Sequence, residues 1–282
     1  LVAFNQNTLD RRYATLAPLL NQAEQCVQSH NDLVSFKQST SFEHYEKSVN
    51  KIQRYIHDGT CYQVNYAQRF EGEHNNEPWD VFTSVLNNNN APYAAYLNLP
   101  DHQLLSYSPE LLLDIKHGHA LTKPIKGTSK RHEISTLNQL SIDTLLESTK
   151  DKAENVMIVD LMRNDLSKTA KMNSINVEKL CHIESTSSVH HLVSSITSTL
   201  RENKHPIDTF KDCFPAGSIT GAPKIKAMQI IEELERFKRY AYCGSIGYIS
   251  VDNQLKMNVS IRTMINKDQT LYCYAGGGIV AD

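Results

Sequence analysis

The sequence predicts an α+β protein. Its strand-like stretches come in consecutive groups, its helical stretches stand apart from them rather than alternating, and the chain closes on three strands whose turns suit antiparallel hairpins. A doubly wound α/β arrangement would need the alternation that is missing here.

The elements follow in order. Residues 9–28 read as a helix. "FEHYEKSVNKIQRYIH" over 42–57 sets Phe42, Tyr45, Val49, Ile52 and Ile56 at helical spacing, with Gly59 as the stop. A helix around Trp79 to Leu86 gives way to a loop at "NNNN", Asn87 to Asn90. Strands are expected in "CYQVNYAQRF", "PYAAYLNL", "QLLSYS", "ELLLDIK" and "HALTKPIK". Helices follow over 133–147 and 152–163, then the strand "LVSSITSTL" and a helix over 223–238. The tail reads as "YCGSIGYIS", "LKMNVSIRTMI" and "TLYCYAGGGIV", with turns at "VDNQ" and "NKDQ".

Composition narrows the class. The 282 residues are 40% hydrophobic and 21% charged, with a formal net charge of −2. That balance offers no electrostatic reason for a nucleic-acid or anionic-membrane partner. No apolar run nears the ~20 residues that span a bilayer, and no signal-peptide pattern is present. Six cysteines lie scattered without a C-x-x-C pair, so reduced thiols are expected rather than disulfides or a zinc site. The sequon at Asn258 falls in an expected interior strand. A chain opening on Leu1 and stopping at "GGGIVAD" is expected to be part of a longer protein.

Several segments could carry chemistry. In "PIKGT", Lys126 stands between a rigid Pro124–Ile125 step and a flexible Gly127, either a surface turn or an ammonium aimed at something. Asp151 and Glu154 share a face at a helix start, and Ile158, Leu161 and Met162 extend that stripe. Carboxylates heading a core-facing stripe need a partner, a proton or a hard cation such as Mg²⁺; acids complementing a helix dipole are the plainer account. Gly217 and Gly221 flank Ser218–Thr220 ahead of a Pro223-led helix, offering N–H groups to an anion, although the spacing is not that of a Walker A loop. Gly276, Gly277 and Gly278 end a strand, as an anion nest or as an edge bulge. Arg262 interrupts an apolar strand, where a guanidinium clamps a carboxylate or closes an ion pair. His190 and His191, adjacent on a strand, face opposite sides. Glu110 opens a strand.

Eight segments, "SPELLL", "PIKGTSKR", "KDKAENVMIVDLMRNDLS", "VHHLVSSI", "GSITGAPKIKAM", "YCGSIGYI", "SIRTM" and "AGGGIV", resemble in order the catalytic domain of chorismate-utilising enzymes, from about Phe42 to Asp282. The family includes anthranilate, aminodeoxychorismate, isochorismate and salicylate synthases. The resemblance implies two large antiparallel β-sheets packed together with helices outside. It also implies a single chorismate-binding catalytic domain over 1–282, with 1–41 a remnant of an N-terminal portion and the family's C-terminal acidic helix missing.

Two positions sort the members. Water-adding enzymes carry a lysine base where this chain has Gln63, whose amide cannot act as a base. Anthranilate synthases resemble "PIAGT" where this chain, like aminodeoxychorismate synthases, has "PIKGT". The resemblance therefore implies amination of chorismate at C4 in the para-aminobenzoate branch of folate biosynthesis. Lys126 is then the nucleophile, Glu110 the general acid and His191 a further catalytic residue. Thr128, Ser218, Thr220, Gly221, Tyr242, Arg262, Gly276, Gly277 and Gly278 are the implied substrate contacts. Glu154 is the implied Mg²⁺ ligand, with Asp151 supporting it. Ammonia from a separate glutaminase subunit and a cytoplasmic location complete the implication. The alternatives are an anthranilate synthase, a non-catalytic chorismate-binding member and, more remotely, a nucleotide-binding enzyme.

Overall fold

A computed structural model describes residues 34–88 and 91–281, together with 10, 11, 14, 17 and 18. Those five are helical, and the rest of the helix expected over 9–28 lies outside the described residues. The architecture is α+β with two seven-stranded sheets, and every strand pairing is antiparallel.

The first sheet contains β1 (Lys37–Gln38), β2 (Gln63–Glu73), β3 (Tyr93–Asn98), β4 (Gln103–Ser108), β10 (Gly221–Ala222), β13 (Thr263–Lys267) and β14 (Thr270–Ile279). Its order is β1-β2-β14-β13-β4-β3, with β10 added against β2. The second contains β5 (Leu111–Lys116), β6 (His119–Lys123), β7 (Ile125–Lys130), β8 (Asn176–Ser185), β9 (Val189–Thr199), β11 (Gly247–Ile249) and β12 (Leu255–Asn258). Its order is β11-β12-β5-β6-β9-β7, with β8 also on β9.

From residue 34 onward, six α-helices among the described residues clothe the sheets: α1 (Phe42–His57), α2 (Pro78–Asn88), α3 (Ser135–Glu147), α4 (Thr149–Ser167), α5 (Pro206–Cys213) and α6 (Lys224–Leu234). Ile158, Val159, Met162 and Leu166 of α4 share one buried core with Leu112, Leu113, Ile115 and Ile196 of the second sheet and Ala67 and Tyr274 of the first. Ile52 of α1 and Ala227, Ile230 and Leu234 of α6 cover Val64 and Tyr66 on the other face of β2. Phe82 of α2 packs on Leu105 and Tyr107. No helix among the described residues is long and apolar enough to cross a membrane.

The hairpin turns act as their residues dictate. Asp268 and Gln269 both take positive φ between the paired Lys267 and Thr270, the mirror-image turn that matches strand twist. Elsewhere local pattern and structure diverge. "LKMNVSIRTMI" is two strands in different sheets, because Ile261 N–H bonds back to the Val259 carbonyl and Arg262 turns to φ 50°. "HALTKPIK" splits at Pro124, which has no N–H for the ladder. β8 escaped the sequence because two register shifts against β9 erase its alternation. α4 extends beyond 152–163, its N-terminus capped by Ser148 accepting from Asp151 N at 3.2 Å. The helix expected to reach residue 238 ends at Leu234, since Glu235 is extended and its carboxylate receives both the Ala67 N–H and Arg239. The expected loop at Asn87–Asn90 begins later, Asn87 and Asn88 closing α2 while Asn89 and Asn90 lie outside the described residues. Asn258 is buried, its amide bonded to Tyr93 O and Ile246 N, a structural role in the strand-to-strand crossing.

One buried ion pair pins the Gly217–Gly221 loop to α4. Lys224 Nζ lies 2.5 Å from Asp165 Oδ2 and also donates to the Cys213 carbonyl, with side-chain exposures of 13% and 3% for the pair. Breaking such a pair strands one charge, whereas replacing both members by apolar side chains does not. Lys224→Met is expected to cost about 3–5 kcal/mol of unfolding free energy, and Asp165→Leu/Lys224→Met to recover most of it. Urea denaturation of the three proteins checks this, and a double variant no more stable than the single one would contradict it.

Candidate active site

Lys126 reaches its position through a bulge. Ile125 pairs with Val193 and Thr128 with His191, so Lys126 and Gly127 together oppose the single residue Leu192. Gly127 sits at φ 85°, and a Cβ there would lie 3.0 Å from the Asp151 carboxyl carbon and 2.9 Å from Leu145. Gly127 is thus required both by its backbone and by the approach of α4. The bulge turns the Lys126 side chain inward, where it is 11% exposed and its Nζ lies 3.8 Å from Glu154 Oε2. Burial pulls this ammonium below its ordinary pKa, against the opposing pull of Glu154, Glu110 and Asp151.

Glu110 lies on the same side. Its backbone is held at both ends, the N–H donating to Ser108 Oγ and the carbonyl accepting from Val259 N. Its carboxylate accepts from Ile125 N at 3.4 Å, one residue before the lysine. Burial pushes this carboxyl up to about 7, with Ser218, the Ile125 N–H and Lys126 restraining the rise.

Glu154 and Asp151 occupy the start of α4, facing Lys126 and Gly127 respectively. A Cβ on Gly278 would sit 3.3 Å from Glu154 Oε2 and 2.6 Å from Gln63 Nε2, which brings the glycine strand to the same place. Gly276 and Gly278 pair with Ala67 and Asn65 in unbroken register, so the triple glycine is regular strand and not a bulge. β13 pairs with β14 only as far as Cys273, leaving the Gly276–Gly278 edge without a second strand among the described residues. Gly277 faces open space.

A second group adjoins the first. His191 Nδ1 and Thr128 Oγ1 are 2.9 Å apart, while His191 Nε2 is buried without a hydrogen-bond partner. Burial and then Arg262 push this imidazole down to about 4, so it is neutral near pH 7. His190 spends both nitrogens on Ser185 and Asn138, leaving none for a ligand. Arg262 is exposed by surface area, partial desolvation lowers its guanidinium, and it has no ion pair among the described residues. Tyr242 stacks on Tyr274 at 5.2 Å, two residues before Gly276.

The glycine-flanked loop plays a mixed part. Ser218 is buried near Glu110 with its hydroxyl lacking a close partner. Thr220 spends its hydroxyl on the Ala216 carbonyl. Gly221, at φ 143°, exists for a close approach, since a Cβ would meet the Gln63 carbonyl at 2.1 Å.

Gln63, which the resemblance put at the position of the water-adding enzymes' base, is joined here by Asn65, which the sequence did not single out. Both Gln63 amide atoms and Asn65 Nδ2 are buried without hydrogen bonds, as are Ser218 Oγ and His191 Nε2. Buried polar groups are nearly always satisfied, so five such atoms at one site mark room for a polar ligand. The available signal was their i, i+2 spacing on β2, which turns both to the face of Gly278. Among the described residues no group of three or more His, Cys, Asp or Glu side chains forms a metal cluster. Asp151 and Glu154 supply two carboxylates beside the ligand space, a donor set that fits a Mg²⁺ retaining several waters.

The family model for chorismate binding enzymes matches residues 3–282. Aminodeoxychorismate synthase component 1 of Salmonella typhimurium is 45% identical over 238 residues, which cover 84% of this chain and 52% of that protein. Anthranilate synthase component 1 of Aquifex aeolicus is 38% identical over 256 residues, covering 91% and 52%. The crystal structure of anthranilate synthase component I from Streptococcus pneumoniae superposes with a TM-score of 0.85 at 32% identity, over 99% of this chain and 62% of that one. The chain spans about half the length of these curated relatives.

The raised Glu110 has a consequence for stability. Its folded pKa of about 7 lies above the unfolded value near 4.5, so its contribution is whole below pH 4.5 and is lost as pH rises through 7. Relative to Glu110→Gln, the wild type is expected to lose about 3 kcal/mol of unfolding free energy over that window. Urea unfolding at a series of pH values measures it; parallel pH curves for the two proteins would refute the assignment.

Proposed function

The chain belongs to the chorismate-binding enzyme family, and from that premise we propose that it aminates chorismate at C4, as an aminodeoxychorismate synthase component 1 does. The observation that carries the reading is Lys126, an amine that a bulge buries opposite Glu154 and beside Glu110. A lowered pKa enlarges the neutral, nucleophilic fraction of the amine relative to an exposed lysine. The carboxyl of Glu110, at about 7, retains a proton to give.

In the proposed sequence the Lys126 amine attacks C2 of the ring. Both conjugated ring double bonds shift, and the C4–oxygen bond breaks as Glu110 protonates the departing hydroxyl, releasing water. Ammonia then adds at C4, both double bonds return, and the C2–nitrogen bond breaks to free the lysine. The proton lost by the new ammonium passes to solvent or to Glu110. Two displacements with opposite shifts leave the configuration at C4 retained. The neutral Nε2 of His191 and the Thr128 hydroxyl serve as polar contacts to the substrate. Arg262 takes the enolpyruvyl carboxylate, a role supported by its having no ion pair among the described residues. The free edge at Gly276–Gly278 supplies backbone donors, and Ser218, Thr220, Gly221 and Tyr242 shape the remainder. Mg²⁺, held by Glu154 with Asp151 acting through water, would neutralise the ring carboxylate.

The reading includes ammonia delivered by a separate glutaminase subunit; the relatives' designation as component 1 supports a second component. It also includes a cytoplasmic location, supported by five unpaired cysteines among the described residues. Anthranilate synthase is the second reading, favoured by the 0.85 superposition, but there the C2 face must admit ammonia where Lys126 stands.

The intact protein incubated with chorismate, Mg²⁺ and ammonium should yield 4-amino-4-deoxychorismate, and Lys126→Ala should lower that rate by about 10³-fold, near 4 kcal/mol of barrier. Chromatography with fluorescence detection separates the products. Anthranilate formed without an added lyase would overturn the assignment to C4, and an undiminished Lys126→Ala rate would overturn the covalent route.

A further inference from the structure

The helix bearing Glu154 and the strand opposite the Lys126 bulge meet through a buried amide and a serine hydroxyl. Asn155, the residue after Glu154, is 0% exposed on a helix whose Ile158 and Met162 share a buried core with Ile196 of the strand. A buried amide in such surroundings is costly unless its hydrogen bonds are made. Here they are made to three places. Nδ2 donates to the Leu192 carbonyl at 3.3 Å. Oδ1 accepts from the Ser194 hydroxyl in a short contact and from Cys181 Sγ at 3.6 Å. Ser194 Oγ in turn accepts from Cys181 N at 3.0 Å, where β8 is irregular and Cys181 takes φ 49°.

Leu192 is the one residue that faces both Lys126 and Gly127 across the bulge. The Asn155 amide therefore grips the strand at the point about which Lys126 is aimed, from the helix position adjoining Glu154. Three directed hydrogen bonds add a specific register to the close apolar packing of helix on sheet. We propose that Asn155 is a positioning residue, which sets the separation of Glu154 from Lys126 by locking α4 to β9 through Leu192, Ser194 and Cys181. The proposal rests on the reading of Lys126 and Glu154 as residues of the reaction.

The test is a cycle in the full-length protein with chorismate, Mg²⁺ and ammonium, using Asn155→Ala, Glu154→Gln and the double variant. Ser194→Ala serves as a milder probe that removes one donor and keeps the fold if Asn155→Ala does not. Misplacement of reacting groups by about 1 Å costs on the order of 10²-fold, so either probe should lower kcat by about 10- to 100-fold. In the Glu154→Gln background the same probe should lower it no further, because the group it positions is gone. Crystal structures of the Ser194→Ala and wild-type proteins give a second readout, in which the Lys126 Nζ–Glu154 Oε2 separation should differ. Additive effects on kcat, or an unchanged separation, would reduce Asn155 to core packing and leave the proposed reaction standing. Glu154→Gln at the wild-type rate would overturn both.

Discussion

The site depends on the withdrawal of one ammonium from water. A lysine kept 11% exposed, with its nearest carboxylate oxygen at 3.8 Å, is neither solvated nor tightly paired. Desolvation then outweighs the surrounding carboxylates, and the amine's pKa falls. The same burial acts with opposite sign on Glu110, whose charged form is disfavoured. A base made less basic and an acid made less acidic stand side by side, the pairing that lets one pocket hold a nucleophile and a proton donor near neutral pH.

The architecture exists to make that burial possible from several directions. β7 brings Lys126 by a bulge, the step before β5 brings Glu110, α4 brings Asp151 and Glu154, and β14 brings a strand stripped of side chains at Gly276–Gly278. One of the chain's passages between the sheets runs from β12 to β13, and that crossing leaves Arg262 at the rim of the same region. The Lys224–Asp165 pair and the Asn155 amide lie on opposite parts of α4, one tying it to the glycine-flanked loop and the other to β9. The helix is thus anchored at both the carboxylate end and the far end.

Much of this was legible in the residues. The α1 stripe of Val49, Ile52 and Ile56 follows helical spacing and is buried against β2 as that spacing requires. The turn at "NKDQ" chose its hairpin, since short-range backbone chemistry suffices there. Strand alternation allowed only one of His190 and His191 to face a site, the resemblance pointed to His191, and the structure shows that His191 alone has a nitrogen to spare. Gln63 was marked only through the resemblance and Asn65 looked like an ordinary strand polar, because an unmet hydrogen bond is a property of surroundings. Asn155 was likewise invisible, as its partners lie 26 to 39 residues away.

What the residues determined unaided was the kind of protein: grouped strands, capped and striped helices, hairpin turns and the motif order that marks the family. These are set by interactions within a few residues of chain. Which face Lys126 presents, how far Glu154 stands from it and whether Glu110 keeps its proton were decided by packing. Desolvation is a sum over every atom that displaces water, and those atoms arrive from strands and helices far apart in the chain.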